Sequence, residues 1–191
     1  MQDNKSEMLP LVDSQGNIVG SATRGECHSG SHLLHPVVHL HLFNSRGELY
    51  LQRRPDWKDI QPGKWDTAVG GHIDLGEDVM AALLREAREE LGLTAFTPVK
   101  IAEYIFDSDR ESEYVNVFAT VYDGPVAPSQ ELDGGRFFPI DVIMQAIAAP
   151  DNSETPGDSE PLPQLTPNFA QEFIRLNLRS LQLPKMKNFC D

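Results

Sequence analysis

The sequence predicts an α+β fold. Three observations carry that expectation. Several short stretches alternate apolar and polar residues with period two, as half-buried strands do. A few other stretches repeat apolar residues at helical spacing. The two kinds do not follow one another in the regular strand–helix–strand order that a parallel α/β sheet requires. At 191 residues with a 40 % hydrophobic fraction, the chain is long enough for one domain with a substantial core.

Residues 9–20, LPLVDSQGNIVG, read as two short strands around an Asp-Ser-Gln-Gly-Asn turn. In 36–43, PVVHLHLF, Val38, Leu40 and Leu42 share one face, and Val37, His39, His41 and Phe43 share the other. Turn residues at 44–47 and a return strand over 48–54 make 36–54 an expected β-hairpin. A loop with Pro62-Gly63 leads to a short strand at about 67–73. The first helix is expected over 77–91, with Met80, Leu84, Ala87 and Leu91 as its core stripe, Glu86 and Glu90 well away from that stripe, and Gly92 as a left-handed C-terminal residue. Strands follow at 99–106, 114–122 and 136–140. A helix over 142–149, capped by Asp141, is stopped by Pro150. The Pro-, Ser- and acid-rich residues 150–163 predict a flexible loop. Thr166-Pro167 opens a final helix to about 182, with Phe169, Phe173, Leu176 and Leu181 facing inward. No internal repeat is visible, and the whole chain, 1–191, reads as one domain.

The most informative stretch runs from Gly71 to Leu93, GHIDLGEDVMAALLREAREELGL. Glu86, Glu89 and Glu90 stand at i, i+3 and i+4 and so share one helix face. Like charges so placed repel one another. Their most natural use is to hold a hard divalent cation such as Mg²⁺ or Mn²⁺; the bland alternative is a solvated acidic helix face.

Charge and composition exclude some partners. The formal net charge is −13, with 29 acidic against 16 basic residues. A surface of that sign repels nucleic acid and anionic membranes. It also repels a phosphate substrate unless metal ions and a local basic patch intervene. No apolar run approaches the roughly 20 residues that a membrane helix needs, and the N-terminus has no secretory pattern, so the expectation is cytoplasmic. Cys27 and Cys190 lie near opposite ends and do not suggest a disulfide scaffold.

The spacing Gly71-x5-Glu77-x7-Arg85-Glu86-x2-Glu89-Glu90-x-Gly92-Leu93 resembles the Nudix box at every polar and glycine position. The one loosened position is Ala87, where the family carries a larger aliphatic residue. The resemblance covers a core of about 33–150 and implies a mixed β-sheet between helices. It implies hydrolysis of a diphosphate linked to another group, with Mg²⁺ or Mn²⁺ bound by Glu86, Glu89 and Glu90. It implies that Glu77 and Arg85 brace the loop against the helix; Gly71 and Gly70 allow close backbone packing where the strand enters the loop. A homodimer is the assembly it suggests.

Residues 31–73 are similar, further, to type I isopentenyl-diphosphate isomerase and its hydrolase-like relatives. The shared features are the His before the strand, the hairpin, Arg53-Arg54, Lys58, Pro62-Gly63-x-Trp65 and Gly71-His72. By that resemblance Arg54 and Lys58 contact the substrate diphosphate. The isomerase's metal site, three His and two Glu, matches His28, His35, His72, Glu111 and Glu113. His28 also reads as a loop residue, His35 as a strand cap, and Glu111 and Glu113 as solvated charges. The departure is Gly70, which stands where the isomerase has a catalytic cysteine. Protonating a double bond needs a positioned acid, and glycine supplies none.

Some members of the family carry a glutamate on a loop beyond the box that ligates metal or accepts the water proton. By that resemblance Glu131 is the candidate general base, with Glu89 or Glu90 acting in both roles as the alternative. Trp57, Trp65 and Phe106 are candidates to stack on a base or pack against a hydrocarbon tail, with Trp65 reading rather as core. The leading expectation is therefore a metal-dependent diphosphate hydrolase acting on a small molecule. An isomerase-like enzyme and a non-catalytic ligand sensor on the same frame are the alternatives.

Overall fold

The computed structural model describes residues 4–58, 60–149 and 161–181. Its order is β1 (Met8–Val12), β2 (Ile18–Thr23), α1 (Arg24–Cys27), β3 (Leu34–Phe43), β4 (Leu49–Arg53), β5 (Trp65–Asp66), β6 (Val69–His72), α2 (Val79–Leu91), β7 (Val99–Asp107), β8 (Ser112–Val121), β9 (Gly135–Phe138), α3 (Ile140–Ala148) and α4 (Pro167–Arg175), followed by a 3₁₀ turn at Leu178–Ser180. β1 and β2 form a separate antiparallel ribbon, and the remaining strands form one mixed sheet in which β3 and β8 run parallel.

β3 is the centre of that sheet. Its whole length pairs with β8, from Leu34↔Ser112 to Phe43↔Val121, and its other edge takes β6 over Val37–Leu40. The alternation read in the sequence therefore becomes two covered faces. Val38, Leu40 and Leu42 pack with Ala82, Leu83, Ala87 and Leu91 of α2. Phe43 packs on the opposite face with Ile143 of α3 and with Phe169 and Phe173 of α4. The sheet thus lies between helices, as expected.

Several elements differ from expectation. The 36–54 hairpin is joined at a single register pair, Phe43↔Leu49, because β6 occupies the edge of β3 that β4 would have needed and β4 pairs instead with β5 and β9. Helix α2 begins at Val79, where the Asp78 side chain accepts from the amides of Met80 and Ala81. Its phase is also different. Met80 and Leu84 are 40 % and 43 % exposed, while Ala82, Leu83, Ala87 and Leu91 are buried. Leu83 and Leu84 are equally apolar, so composition could not choose between two phases about 100° apart. The observed phase puts Glu86 and Glu90 on the border of the buried stripe rather than away from it. Gly92 is left-handed (φ 67°), as expected.

Helix α3 starts at Ile140 after Pro139; Asp141 lies inside its first turn and does not cap it. Helix α4 is capped by Thr166, with Pro167 in its first turn, and stops at Arg175; Asn177 (φ 49°) breaks it before Leu178–Ser180. Phe169 and Phe173 are buried, and Leu176 and Leu181 pack against the same cluster. Residue 182 and most of the expected 150–163 loop lie outside the described residues. The short helix α1, closed by a reciprocal Thr23–Glu26 capping box, was not expected. Among the described residues no helix is long and apolar enough to cross a membrane.

Candidate functional site

β6 organises the site because successive residues face opposite sides of the sheet. Gly71 faces α2. A Cβ there would lie 2.1 Å from the Glu86 carboxyl carbon, so only glycine lets α2 bring that carboxylate against the strand. Gly70 and His72 face the other side, opposite His39 and Val37.

On the α2 side, Arg85 ties the box together. Its guanidinium donates to both Glu77 oxygens (3.0 and 2.9 Å), to the His72 carbonyl (3.0 Å), to Glu86 Oε1 (2.8 Å) and to Glu89 Oε2 (3.3 Å). The planar fork satisfies both sides of the loop at once, which a lysine could not do. Glu77 also accepts from the Asp74 amide, closing the loop that enters α2. Glu90 accepts from the Gly70 amide at 3.2 Å. Burial, with the neighbouring Glu86, pushes Glu90 up to about 8. Burial pushes Glu86 up to about 7 against the pull of Arg85. Two carboxylates held this close to neutral pH are short of positive charge. Glu89 is more exposed, at 54 % of its side chain.

The loop after β8 is anchored to the end of α2 by Ala127 and Ser129 amides donating to the Leu91 and Glu90 carbonyls. That anchoring brings exposed Glu131 within charge range of Glu90, without direct contact. Arg54 Nη1 donates to Asp66 Oδ2 (3.3 Å) and its Nε to the Ile60 carbonyl (3.1 Å). Lys58 lies over the exposed Trp57 ring at 5.0 Å. Trp65 is half-buried against Phe138, on the α3/α4 side, so it belongs to the core. Phe106 packs with Val37, Val115 and Val117.

On the opposite side, the structure brings together the three histidines and two glutamates from four distant segments. Ligand atoms of His28, His35 and His72 lie within 4.8 Å of one another, as do those of His35, Glu111 and Glu113. α1 delivers His28 at its C-terminus, β3 supplies His35, β6 His72, and the start of β8 the two glutamates. His35 Nδ1 donates to the Leu33 carbonyl (2.9 Å), which leaves a lone pair on its buried, unpartnered Nε2. His28 Nε2 and His72 Nε2 are 2.9 Å apart. His28 Nδ1 lies 2.5 Å from Glu111 Oε2, but off hydrogen-bonding alignment. Burial and the neighbouring cationic groups hold His72 well below its ordinary value, and burial lowers His35. Burial raises Glu113 to about 7. For Glu111 burial works the other way from His28, whose contact wins and lowers it. Three imidazoles whose ring nitrogens converge beside two carboxylates form a donor set that fits a divalent metal ion.

Sequence reasoning missed a third group. Glu172 of α4 is 2 % exposed. Its carboxylate accepts from His39 Nδ1 (2.9 Å), His41 Nε2 (2.7 Å) and Tyr104 Oη (2.5 Å). Burial alone would raise it, but the two histidines hold it well below the carboxylate range. Burial disfavours the charged His39 ring, yet Glu172 lifts it to about 9. The available signal was Glu172 standing beside Phe173 and three residues after Phe169, on the buried face of its helix.

The sequence profile of the NUDIX domain matches residues 33–158. The chain is 32 % identical over 141 residues to an uncharacterised Nudix hydrolase of Pseudomonas aeruginosa, covering 73 % of this chain and 83 % of that one. It is 31 % identical over 150 residues to an isopentenyl-diphosphate Delta-isomerase of Citrobacter koseri, covering 75 % and 83 %. A Deinococcus radiodurans protein of known structure, DR0079, superposes with a TM-score of 0.63 at 26 % identity, over 74 % of this chain and 90 % of that one. The MutT protein of Methanosarcina mazei shares the fold, with a TM-score of 0.60 at 20 % identity over 78 % and 96 %. The chain belongs to the Nudix family, in a branch that resembles type I isopentenyl-diphosphate isomerase.

Proposed function

We propose that the protein is a divalent-metal-dependent hydrolase that splits a diphosphate joined to another group. The observation that carries the reading is the carboxylate cluster on α2. Glu86 and Glu90 are pushed up to about 7 and 8, chiefly by burial and then by neighbouring glutamates, and Gly71 lets the Glu86 carboxylate lie against the strand. Glu86, Glu89 and Glu90 would hold Mg²⁺ or Mn²⁺. Such an ion neutralises diphosphate oxygens and makes water a better nucleophile. Arg54 and Lys58 bind the substrate phosphates from the loop before β5. Glu131, or Glu90 itself, accepts the proton of the attacking water. The water oxygen bonds to one phosphorus, the bridging P–O bond breaks, and its electron pair leaves with the other phosphate.

The second cluster, His28, His35, His72, Glu111 and Glu113, would hold a further divalent ion. His72 joins the two regions, because its carbonyl binds Arg85 and its ring belongs to the histidine cluster. This cluster favours an isomerase-like frame, the second reading. Against isomerisation stands Gly70, which offers no acid at the position facing His39. The flanking segments that supply His28 and Glu172 support treating the chain as a single domain.

The test is phosphate release, coupled through pyrophosphatase or phosphatase, across nucleoside triphosphates, dinucleotide and sugar conjugates, and isoprenoid diphosphates with Mg²⁺ or Mn²⁺. Metal-dependent release from one class supports the reading and names the substrate class. Silence across the panel from folded, metal-loaded protein favours a ligand sensor.

A further inference from the structure

β3 is a covered strand, and among its interior residues it opens at one place. From His35 to Phe43 every residue is buried except His39. The His39 side chain is 17 % exposed, and it opens toward the exposed Gly70, its register partner on β6. A Cβ on Gly70 would lie 3.7 Å from His39 Cδ2 and 3.9 Å from His39 Nε2. The edge of the ring that carries Nε2 therefore borders the space that glycine leaves open. The amide of the same Gly70 holds Glu90 of the acidic cluster.

The other edge of the ring is fixed. A carboxylate can only accept, so His39 Nδ1–H donates to Glu172, which His41 and Tyr104 hold in turn. Three donors on one buried carboxylate leave Glu172 no freedom to release the ring. Among the described residues Nε2 makes no hydrogen bond of its own. His39 also stands outside both groups of metal-ligating geometry. The charges that bear on the ring are Glu172, Glu113 and Asp66, all negative, so the environment favours the imidazolium. A protonated ring cannot ligate a metal; it donates a hydrogen bond to an anion.

We propose that His39 is a substrate-contacting residue, oriented by Glu172, whose Nε2–H donates to a phosphate oxygen of the bound diphosphate beside Gly70. The inference rests on the hydrolase reading above for its ligand class. It adds to Arg54 and Lys58 a cation rooted in the central strand of the sheet. It also gives the C-terminal helix a part in the site: Glu172 is a positioning residue. Asp66 joins the two cationic contacts, because it accepts from Arg54 and from Thr166, the N-cap of α4.

The experiment uses the full chain loaded with Mg²⁺ and methylene diphosphonate, which binds as a diphosphate but is not hydrolysed. His39→Asn keeps a donor where Nδ1 meets Glu172 and removes the donor at Nε2. We expect its affinity for the diphosphonate to fall about tenfold, the loss of one charge-assisted hydrogen bond, with the chain still folded and its Mn²⁺ affinity unchanged. In the wild-type chain with ¹⁵N-labelled histidine, the His39 ring should shift on adding the diphosphonate. If Arg54→Ala weakens binding while His39→Asn binds as the wild type does and the His39 ring does not shift, the inference is overturned and the hydrolase reading stands. If neither variant weakens binding, or the wild type binds no diphosphonate, both fall.

Discussion

The two faces of β6 solve opposite electrostatic problems. On the α2 face, Glu86, Glu89 and Glu90 crowd together, Arg85 offsets Glu86 and Glu89, and burial raises Glu86 and Glu90 toward and beyond neutral pH. On the other face, Glu172 is more deeply buried, yet His39, His41 and Tyr104 surround it and hold it ionised. A buried carboxylate that brings its own partners is a structural joint. One that lacks them is stable only when a cation arrives from outside. The difference separates carboxylates left short of positive charge from one that is held by its own donors.

Four substitutions sharpen that comparison. Glu90→Gln should cost on the order of 1,000-fold in Mg²⁺-stimulated turnover, a loss typical of removing one preorganised electrostatic group, while the metal-free protein stays folded; undiminished turnover would remove Glu90 from the metal site. Gly71→Ala forces a Cβ to 2.1 Å from the Glu86 carboxyl and should lower turnover about 100-fold through misplacement alone. Wild-type kinetics would show that α2 can shift without consequence. Glu172→Ala strips a buried carboxylate from its donors, and urea unfolding should report a loss of about 3 kcal/mol. A loss below 1 kcal/mol would mean the network contributes little to docking α4. His72→Ala should lower bound metal by elemental analysis; unchanged content would leave His72 a structural residue.

The smallest effect is a pH dependence. His39 titrates near 9 in the folded protein against an ordinary 6.5, so its contribution is complete below 6.5 and is lost as pH rises through 9. Glu172 is lowered from 4.5, so its contribution is present above 4.5 and is lost as pH falls below it. The stability difference between wild type and His39→Asn should therefore be greatest between those ordinary values, at pH 4.5–6.5, and shrink toward pH 9. Glu113 and Asp66, which also face the ring, act in the same direction as Glu172. A difference that grows from pH 6.5 to 9 would contradict the ion pair.

The same division explains what the sequence could reveal. Glu77, Arg85, Glu86, Glu89 and Glu90 are legible because one loop and one helix hold them at fixed spacing. The phase of α2 was not, because Leu83 and Leu84 compete equally and the choice appears only in the packing of the helix on the sheet. His28, His35, His72, Glu111 and Glu113 could be grouped by resemblance alone, since four segments meet there. Glu172 and His39 are 133 residues apart. Nothing local marks them as partners, and parallel pairing of β3 with β8 had no signature in either strand.

The most direct test of the central claim is a ³¹P and ¹H NMR time course with Mg²⁺ on the most active diphosphate of the panel and, beside it, on isopentenyl diphosphate. The account predicts that the diphosphate resonances give way to two phosphate-bearing products, or to a diphosphate-bearing product plus inorganic phosphate, with the isoprenoid double bond unmoved. A shifted double bond with the diphosphate intact would contradict it and show that the isomerase chemistry survives without an acid at Gly70.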